Sequence, residues 1–287
     1  MIDLHIHTDN SDGKYTVEQI LKMAKEIGLN TISFCDHNVL GAYEKLKNIN
    51  VKELWDGKII TGIEFDFVYK KKDYHMLGYN FDAQKLNKSK FLDRRSEEEL
   101  IKEEEERLEF FKNVCKKLNI KLSENLKITS SNIPANDIVK ADMQIHEENK
   151  KALDKILGED RKKSFWLGHV TNPESPFYID FTENLPTAIQ VAEEIHNAGG
   201  LVVLAHPFEY KSMDNIKFLE EMYDLKILDG IECVHTKHSK EQVLYLEKFC
   251  KEHNLIMSGG SDFHDDKRQV LGHTSLGIID DKYCLRK

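Results

Sequence analysis

The 287-residue sequence predicts an α/β protein whose strands close into a TIM-like (β/α) barrel. Two observations support this prediction: short apolar, strand-like runs alternate with helical segments, and chemically reactive side chains follow most of those runs. The runs lie at residues 1–4, 31–35, 59–63, 201–205 and 255–258. Parallel strands in a barrel bring their C-terminal ends to one rim, where catalytic groups collect. We therefore expect the side chains that follow the runs to meet at one mouth.

Helical periodicity fills the segments between the runs. The first predicted helix covers 16–28, with Thr16 as its N-cap and Gly28 where the helix would end. Further helices are predicted over 38–48, 187–200 and 238–253. This alternation of strand and helix is the chain order of a (β/α) barrel.

Two regions depart from the plain strand–helix alternation. Residues 59–69 and 74–79 alternate in a way that predicts a β-hairpin across the polar turn between them. From 83 to 164 the chain is rich in Lys and Glu and poor in Gly, and its long acidic run is typical of a solvated helix face. We therefore predict a barrel formed by 1–82 and 165–287, with 83–164 as a helical insertion over the barrel mouth.

Ten side chains of the types that bind metals lie in six clusters, mostly just past the strand-like runs. They are His5, His7, Asp12, Asp36, His37, Glu64, His75, His206, Asp262 and His264. Residues two apart in an extended strand point to the same side, so His5 and His7 are expected to aim together into the mouth. Imidazole and carboxylate groups that arrive from several strands indicate a site for more than one metal ion.

In this order and spacing, the motifs resemble the PHP (polymerase and histidinol phosphatase) superfamily from Met1 to about His264. The motifs are His5-Ile6-His7-Thr8, Ser11-Asp12-Gly13, Asp36-His37-Asn38, Gly62-Ile63-Glu64, Ala205-His206-Pro207 and Ser261-Asp262-Phe263-His264. The pattern is most similar to stand-alone PHP metal-dependent phosphoesterases with a helical insertion. The resemblance implies a distorted seven-stranded (β/α) barrel that holds two or three divalent metal ions.

The resemblance also implies which side chains bind each ion, with Glu64 as a carboxylate that bridges two of them. The first ion would be held by His5, His7, Glu64 and Asp262, the second by Glu64, His75 and one further histidine, and the third by Asp12, His37 and His264. Zinc, manganese and iron all suit histidine-rich sites with carboxylates, so the residues do not choose among them.

The further histidine is where this chain departs from the family pattern. The family usually places it in an Arg-x-His pair of the insertion, and the best local match, 128–135, carries neither residue. His146 and His169 lie downstream and are two alternatives for that position, and the third alternative is that neither serves. His235 and His238 follow another strand-like run, and the resemblance implies no ligand role for them.

Four residues are predicted to act on the substrate or on the ligands. Asp36 could orient His37 or take part in proton transfer. His206 could contact a substrate phosphate or a metal-bound water. Lys267 and Arg268 lie in the loop after the last ligand and are predicted to bind phosphate oxygens, with solvated loop cations as the alternative.

The net charge limits the partners that we expect, and the cysteine content limits the cell compartment. The net charge of −9 argues against general binding of nucleic-acid backbones, so we expect a small phosphorylated substrate and no long nucleic acid. The five cysteines are odd in number and form no CxxC motif, which suits a reducing cytoplasm. The chain begins on a strand-like run, so no signal peptide is expected, and no apolar run approaches the ~18 residues of a membrane span.

These features together predict a metal-dependent phosphoesterase that hydrolyses a small phosphate ester, either a monoester or a nucleotide, through a hydroxide bridging the metals. Two alternatives stay open at this point. One is a non-catalytic, metal-binding PHP module. The other is a C–N hydrolase that uses the same metal centre on a carbonyl group.

Overall fold

The computed structural model describes residues 1–130, 133–157, 165–210 and 214–287. The chain divides into two units, one formed by Met1–Asp93 with Asn184–Lys287 and the other by Arg94–Glu183. Ser131 and Asn132 lie outside the described residues. They belong to 128–135, the segment that best matches the position of the family's Arg-x-His pair. The predicted end of the insertion at 164 also lies outside the described residues. The predicted position of the insertion over the barrel mouth stays a prediction.

The first unit is built around a mixed β-sheet. Its strands are β1 (Ile2–Ile6), β2 (Thr31–Phe34), β3 (Lys58–Tyr69), β4 (Lys72–Tyr79), β5 (Leu201–Leu204), β6 (Gly230–Val234), β7 (Ile256–Gly259), β8 (His273–Thr274), β9 (Gly277–Ile278) and β10 (Cys284–Arg286). The main sheet has the order β1-β2-β3-β4-β5-β6-β7-β10, while β8 and β9 form a separate hairpin.

The main sheet is nearly closed and barrel-like. The backbone N–H of Phe263, just past β7, donates to the carbonyl of His5, and the N–H of His7 donates to the carbonyl of Phe263. These bonds join β1 to the segment that follows β7. Among the described residues the sheet has eight strands, one more than predicted, because β10 pairs antiparallel with β7.

One strand of the sheet runs against its neighbours. β4 is antiparallel to both β3 and β5, whereas β1–β2, β2–β3, β5–β6 and β6–β7 are parallel. The start of β4 therefore lies at the rim where the parallel strands end. Asp66 of β3 pairs directly with His75 of β4 at this rim.

The helices of the described residues follow the predicted alternation. They are α1 (Val17–Ile27), α2 (Gly41–Leu46), α3 (Val51–Leu54), α4 (Ala83–Leu86), α5 (Glu97–Lys117), α6 (Ala135–Ile145), α7 (Lys150–Leu157), α8 (Ala188–Asn197), α9 (Asn215–Asp224) and α10 (Lys240–His253). No described helix is long and apolar enough to cross a membrane.

Local sequence signals explain where several elements begin and end. Thr16 caps α1 through a capping box with Gln19, and Gly28 ends that helix at φ 75°, so both predicted boundaries are confirmed. The β3–β4 turn is shorter than predicted, because Lys70 and Lys71 both adopt left-handed φ values of 48° and 60°. Two such residues make the tight turn that matches the twist of a hairpin.

The second unit, Arg94–Glu183, contains α5, α6 and α7 and has a hydrophobic core of its own. The buried apolar residues of this core are Leu108, Phe111, Val114, Cys115, Ile120, Ile128, Ala135, Val139, Met143, Leu153, Phe165, Val170 and Phe177. The buried residues of α5 are Glu104, Leu108, Phe111, Val114 and Cys115. All the other charged side chains of this helix therefore lie outside its buried face. The unit is therefore a folded helical body rather than a loose loop.

We predict that Gly260→Ala destabilises the first unit by about 1–3 kcal/mol, the usual cost of overpacking. A Cβ on Gly260 would overlap the Cβ of His5 and lie 2.7 Å from its backbone nitrogen. Gly168→Ala is the matched control, since a Cβ there meets nothing within 4 Å. Urea unfolding of both variants measures the difference, and equal midpoints would contradict the prediction.

Candidate metal centre

The predicted metal ligands, and His206, which was predicted to act on the substrate, come from the rim of the barrel. His5 and His7 lie in and just after β1, His37 follows β2, and Glu64 belongs to β3. His75 comes from the start of β4, which reaches the same rim because that strand is reversed. His206, Asp262 and His264 follow β5 and β7.

The first cluster consists of His5, His7, Glu64 and Asp262. Glu64 Oε2 lies 3.1 Å from His5 Nε2 and 3.2 Å from His7 Nε2. Asp262 Oδ1 lies 3.6 Å and 3.2 Å from the same two nitrogens. Both imidazoles are fully buried. Two nitrogens and two carboxylate oxygens thus face one point, which suits a four-coordinate divalent metal.

The second cluster consists of Glu64, His75 and His206. Here the other carboxylate oxygen of Glu64, Oε1, lies 3.1 Å from His75 Nδ1 and 3.0 Å from His206 Nε2. The two oxygens of Glu64 therefore serve different sets of histidines. A carboxylate placed in this way would be able to bridge two metal ions, one at each cluster.

The third cluster consists of His7, Asp12, His37 and His264. Asp12 Oδ1 lies 3.3 Å from His7 Nδ1, and Asp12 Oδ2 lies 3.0 Å from His264 Nε2. The rings of His7 and His264 stack with centroids 4.1 Å apart. His37 approaches from β2, with its Nε2 3.4 Å from Glu64 Oε2.

Several nitrogens in the mouth are placed for an ion rather than for a hydrogen bond. Nε2 of His5 and both ring nitrogens of His7 are buried without a hydrogen-bond partner, although carboxylate oxygens lie 3.1–3.3 Å away. Ligand atoms that each lie about 2.0–2.2 Å from a shared Zn²⁺ are about 3–3.5 Å apart. The residues present therefore fit a divalent metal ion.

The charges in the mouth shift the pKa values of its groups. Burial by itself raises the pKa of Glu64, but the imidazoles of His5, His37 and His75 hold it well below its usual range. Burial by itself lowers the pKa of His37 and His75, but the charge of Glu64 and neighbouring carboxylates outweighs it and raises the two values to about 9 and about 10. Without metal, protons on these imidazoles compensate the buried carboxylates.

Two carboxylates, one buried and one half-buried, hold histidine ligands from behind. Glu232 of β6 contacts His5, with Oε1 3.0 Å from Nδ1. Asp66 of β3 contacts His37, with Oδ1 2.9 Å from Nδ1. A carboxylate on the far nitrogen orients a histidine ligand and sets its tautomer.

Asp36, a predicted catalytic residue, lies in a different arrangement. Its carboxylate accepts hydrogen bonds from the Thr8 backbone N–H at 2.6 Å, the Thr8 hydroxyl at 2.7 Å and the Ser11 hydroxyl at 2.7 Å. It belongs to none of the metal clusters found in the described residues. These contacts favour a role in holding the loop between His7 and Asp12 over a role in proton transfer.

Two residues at the rim adopt strained backbone conformations. His206 has φ 23° and Asp262 has φ 57°, values that favour glycine. Strain of this kind collects at functional sites, where the surroundings hold the residue in place. It aims the two side chains back into the mouth directly after their strands end.

His206 belongs to the second cluster, with Glu64 and His75. For the third member of this cluster the sequence analysis had offered His146, His169 or neither. His146 and His169 lie in the second unit, where they contact Asp142 and Ser123, and Phe165 and Ser175. The position of His206 directly after a strand was the sequence signal for a role at the rim. The sequence could not show that it meets Glu64, because Glu64 is 142 residues away in the chain.

The predicted phosphate-binding cations lie on the exposed part of the last rim loop. Arg268 Nε donates to Asp265 Oδ2 at 2.6 Å, and the backbone N–H of Lys267 donates to Asp265 Oδ1 at 2.7 Å. This bond uses only one of the five N–H donors of Arg268. The Lys267 side chain is exposed at this position.

His235 and Glu209 form a further group with Asp262 that the sequence did not single out as a site. His235 Nε2 is buried and lies 3.4 Å from Asp262 Oδ2. Its Nδ1 accepts from the Lys237 backbone N–H at 3.2 Å, so neutral His235 carries its proton on Nε2. His235 Nε2 has no hydrogen-bond partner at this distance, and with Glu209 and Asp262 it belongs to a group that could hold a metal ion.

Glu232 and Asp66 were also missed by sequence reasoning, although a signal existed for each. Glu232 stands alone in an apolar strand, and a buried carboxylate requires a partner. Asp66 lies two residues after Glu64 and so points to the same side of β3.

Comparison with known proteins yields a family match and curated relatives. The PHP domain family model matches residues 3–162, which is more than half of the chain. A 5′-3′ exoribonuclease of Haemophilus influenzae is 27% identical and aligns over 97% of this chain and 95% of its own length. The Escherichia coli 5′-3′ exoribonuclease Rnm is 23% identical over 91% of this chain and 84% of its own length. A phosphoribosyl 1,2-cyclic phosphate 1,2-diphosphodiesterase of Eggerthella lenta is 25% identical over 91% of this chain and 93% of its own length.

Two solved structures share the fold. One is from Bifidobacterium adolescentis, a protein whose assignment as a metal-dependent phosphoesterase is itself inferred, with a TM-score of 0.64, 23% identity, and coverage of 98% of this chain and 93% of its own. The other is an amidohydrolase from Chromobacterium violaceum with bound sulfate and no metal, with a TM-score of 0.65, 20% identity, and coverage of 95% and 90%. At these identities the likeness shows the fold alone.

The prediction that no long nucleic acid would be a partner is wrong, because relatives aligned over nearly the whole chain are 5′-3′ exoribonucleases that act on RNA. The net charge of −9 misled because it is a sum over the whole chain. Binding depends on the potential where the substrate lies. An enzyme that takes one end of a strand needs positive charge at its metal centre rather than along a groove.

We predict that zinc binding to the metal-free protein releases protons and tightens as pH rises from 7 towards 9. Because the pKa values of His37 and His75 are raised to about 9 and about 10, both are protonated at pH 7, and zinc must displace these protons. Calorimetric titration in two buffers of different ionisation enthalpy counts the protons. His253→Asn, outside the clusters, should leave that count unchanged, and a binding enthalpy independent of buffer would contradict the prediction.

Proposed function

This chain belongs to the PHP domain family of metal-dependent phosphoester hydrolases, and we propose that its substrate is an RNA strand that it hydrolyses from the 5′ end. The observation that supports this chemistry is that the two carboxylate oxygens of Glu64 face different sets of histidines. A carboxylate placed in this way supports a centre of at least two metals. The exoribonucleases among its relatives support the choice of RNA.

Divalent metals bound at the three clusters would activate water and neutralise the charge of the phosphate. The chain's own residues prepare the site for this chemistry. His5, His7 and Glu64 are held in a mouth that excludes bulk water, since their side chains are at most 1% exposed. Asp36 holds the Thr8–Ser11 loop, so that Asp12 returns towards His7.

Lys267 and Arg268 are proposed to meet phosphate oxygens of the incoming strand. Both follow His264 in the exposed rim loop, and Arg268 is held by Asp265. Arginine binds phosphate through two parallel hydrogen bonds, so exchange of Asp265 for a phosphate would keep its donors satisfied. His206 is proposed as a ligand of the second cluster rather than as a group that acts on phosphate directly.

A small phosphate ester is the second candidate substrate. The relative from Eggerthella lenta acts on a cyclic phosphate of a phosphorylated ribose, and the deeply buried ligands suit a compact ester as well as a strand end. The C–N hydrolase alternative has less support, because a fold shared with an amidohydrolase does not decide which bond is attacked. A non-catalytic module would be expected to have lost ligands, whereas each described cluster keeps three or four.

We predict that Glu64→Gln lowers phosphoesterase activity with Mn²⁺ by at least about 100-fold, because the amide cannot bridge two ions as a carboxylate does. Release of nitrophenol from bis-p-nitrophenyl phosphate measures this loss. Glu44→Gln removes an exposed carboxylate paired with Lys47 and should keep full activity. Full activity in Glu64→Gln would exclude the proposed centre.

We further predict that RNA is shortened from its 5′ end, because the relatives aligned along nearly the whole chain cleave in that direction. With Mn²⁺, a 5′-labelled strand should release its label as a mononucleotide at the earliest time points, while a 3′-labelled strand shortens stepwise. A ribose cyclic phosphate, p-nitrophenyl phosphate and simple amides are the competing substrates. Faster turnover of the cyclic phosphate than of RNA would favour the second candidate, and release first from the 3′ end would contradict the proposed direction.

A further inference from the structure

Glu232 is a buried carboxylate in the middle of an otherwise apolar strand. It lies in β6, and its exposed fraction is 0%. A carboxylate without partners in such a place would cost several kcal/mol. The identity of its partners therefore indicates what it is there to hold.

The two oxygens of Glu232 contact two different metal ligands. Oε1 lies 3.0 Å from His5 Nδ1, and Oε2 accepts the backbone N–H of His206 at 2.9 Å. His5 belongs to the first cluster and His206 to the second. A single side chain on a third strand thus joins the two clusters from behind.

Each contact places its ligand for metal binding. A carboxylate only accepts, so His5 must donate from Nδ1, and in the neutral ring that would bind a metal Nε2 then carries no proton on the side of Glu64 and Asp262. His206 has a strained φ of 23°, and the hydrogen bond from its backbone to Glu232 helps to hold that conformation. His206 Nε2 is thereby kept 3.0 Å from Glu64 Oε1.

We infer that Glu232 is a positioning residue that couples the first and second clusters, so that one change at this carboxylate weakens metal binding at both. This inference rests on the metal centre of the proposed function, and it assigns Glu232 no contact with the substrate.

Glu232→Gln separates coupling from simple packing because the side chain keeps its size but has one oxygen. If that oxygen accepts from the His206 N–H, the amide N–H₂ faces His5 Nδ1 and forces the proton of His5 onto Nε2. If the oxygen faces His5, the amide N–H₂ meets the His206 N–H, and two donors oppose each other. Either orientation disturbs one ligand directly, and the other through Glu64, which both clusters share.

The control is Asp229→Asn, at the residue directly before the start of the same strand. Asp229 Oδ2 likewise contacts one histidine nitrogen, His196 Nε2 at 2.8 Å, and one backbone N–H, that of Val202 at 2.8 Å. It has no contact with any ligand of the three clusters. The two substitutions therefore both remove the charge of a carboxylate that contacts one histidine and one backbone N–H, one beside the metal ligands and one away from them. At Asp229 a single oxygen serves both partners, so the amide oxygen of Asn can keep both contacts there.

The experiment titrates metal-free protein with Zn²⁺ alone by calorimetry. Glu64→Gln identifies the zinc equivalents of the first and second clusters, and Asp12→Ala identifies that of the third. In Glu232→Gln we expect the equivalents weakened by Glu64→Gln to lose affinity together by about 10–100-fold, as for other residues that orient metal ligands. The equivalent lost in Asp12→Ala, and all equivalents in Asp229→Asn, should keep their wild-type affinity.

Three results would overturn the inference: unchanged zinc affinity in Glu232→Gln, weakening of a single equivalent, or an equal loss at all clusters. Circular dichroism and the thermal midpoint show whether the variant folds. If it does not, Glu232→Asp keeps both oxygens one methylene further back and should weaken the same equivalents by a smaller common factor. Weakening of one equivalent alone in that variant would also overturn the inference. Zinc titration does not depend on substrate, so a wrong assignment of RNA as substrate leaves this test intact.

Discussion

Buried negative charge at the barrel mouth is the constraint that the surrounding structure must satisfy. Glu64 is 1% exposed, and desolvation of a carboxylate costs several kcal/mol unless opposite charge lies close by. Imidazoles from β1, β4 and the loops after β2 and β5 surround it. The raised pKa values of His37 and His75, about 9 and about 10, keep these two rings protonated at pH 7 when no metal is present. Metal ions and protons thus compensate the same charge, which ties the stability of this rim to its occupancy.

The reversed strand β4 shows how chain direction serves that constraint. A fully parallel sheet would send its strand starts to the opposite rim, away from Glu64. The two-residue turn at Lys70 and Lys71 instead brings the start of β4 back beside the end of β3. His75, at the start of β4, can then contact Glu64 of β3, whereas the start of a parallel strand would lie at the opposite rim. The antiparallel pair is therefore part of the site as well as part of the sheet.

The relation between charge and substrate is local rather than global. An acidic protein repels polynucleotides at long range, yet a strand end that reaches bound divalent cations meets strong positive potential there. The fold does not choose the chemistry either, since both an amidohydrolase and an inferred phosphoesterase share it. Choice of substrate must come from the rim loops and from the ligands that the strand ends present.

The sequence by itself determined the α/β alternation, the capped helix α1, the β3–β4 hairpin and the strand ends at which metal-type side chains appear. These features depend on residues within a few positions of one another, where periodicity and capping are directly visible. Helix α2 begins later than predicted, at Gly41, because Asn38 adopts φ 52° and its side-chain amide donates to Asp66.

Only the tertiary structure decided which groups face each other across the mouth. It placed His206 with Glu64 and His75, put Glu232 behind His5, and turned Asp36 towards Thr8 and Ser11. The local pattern shows that a side chain follows a strand, but not which distant side chain it will meet. Closure of the sheet brings His5 within 3.6 Å of Asp262, which lies 257 positions later in the chain. Such contacts are set by strand order, register and direction.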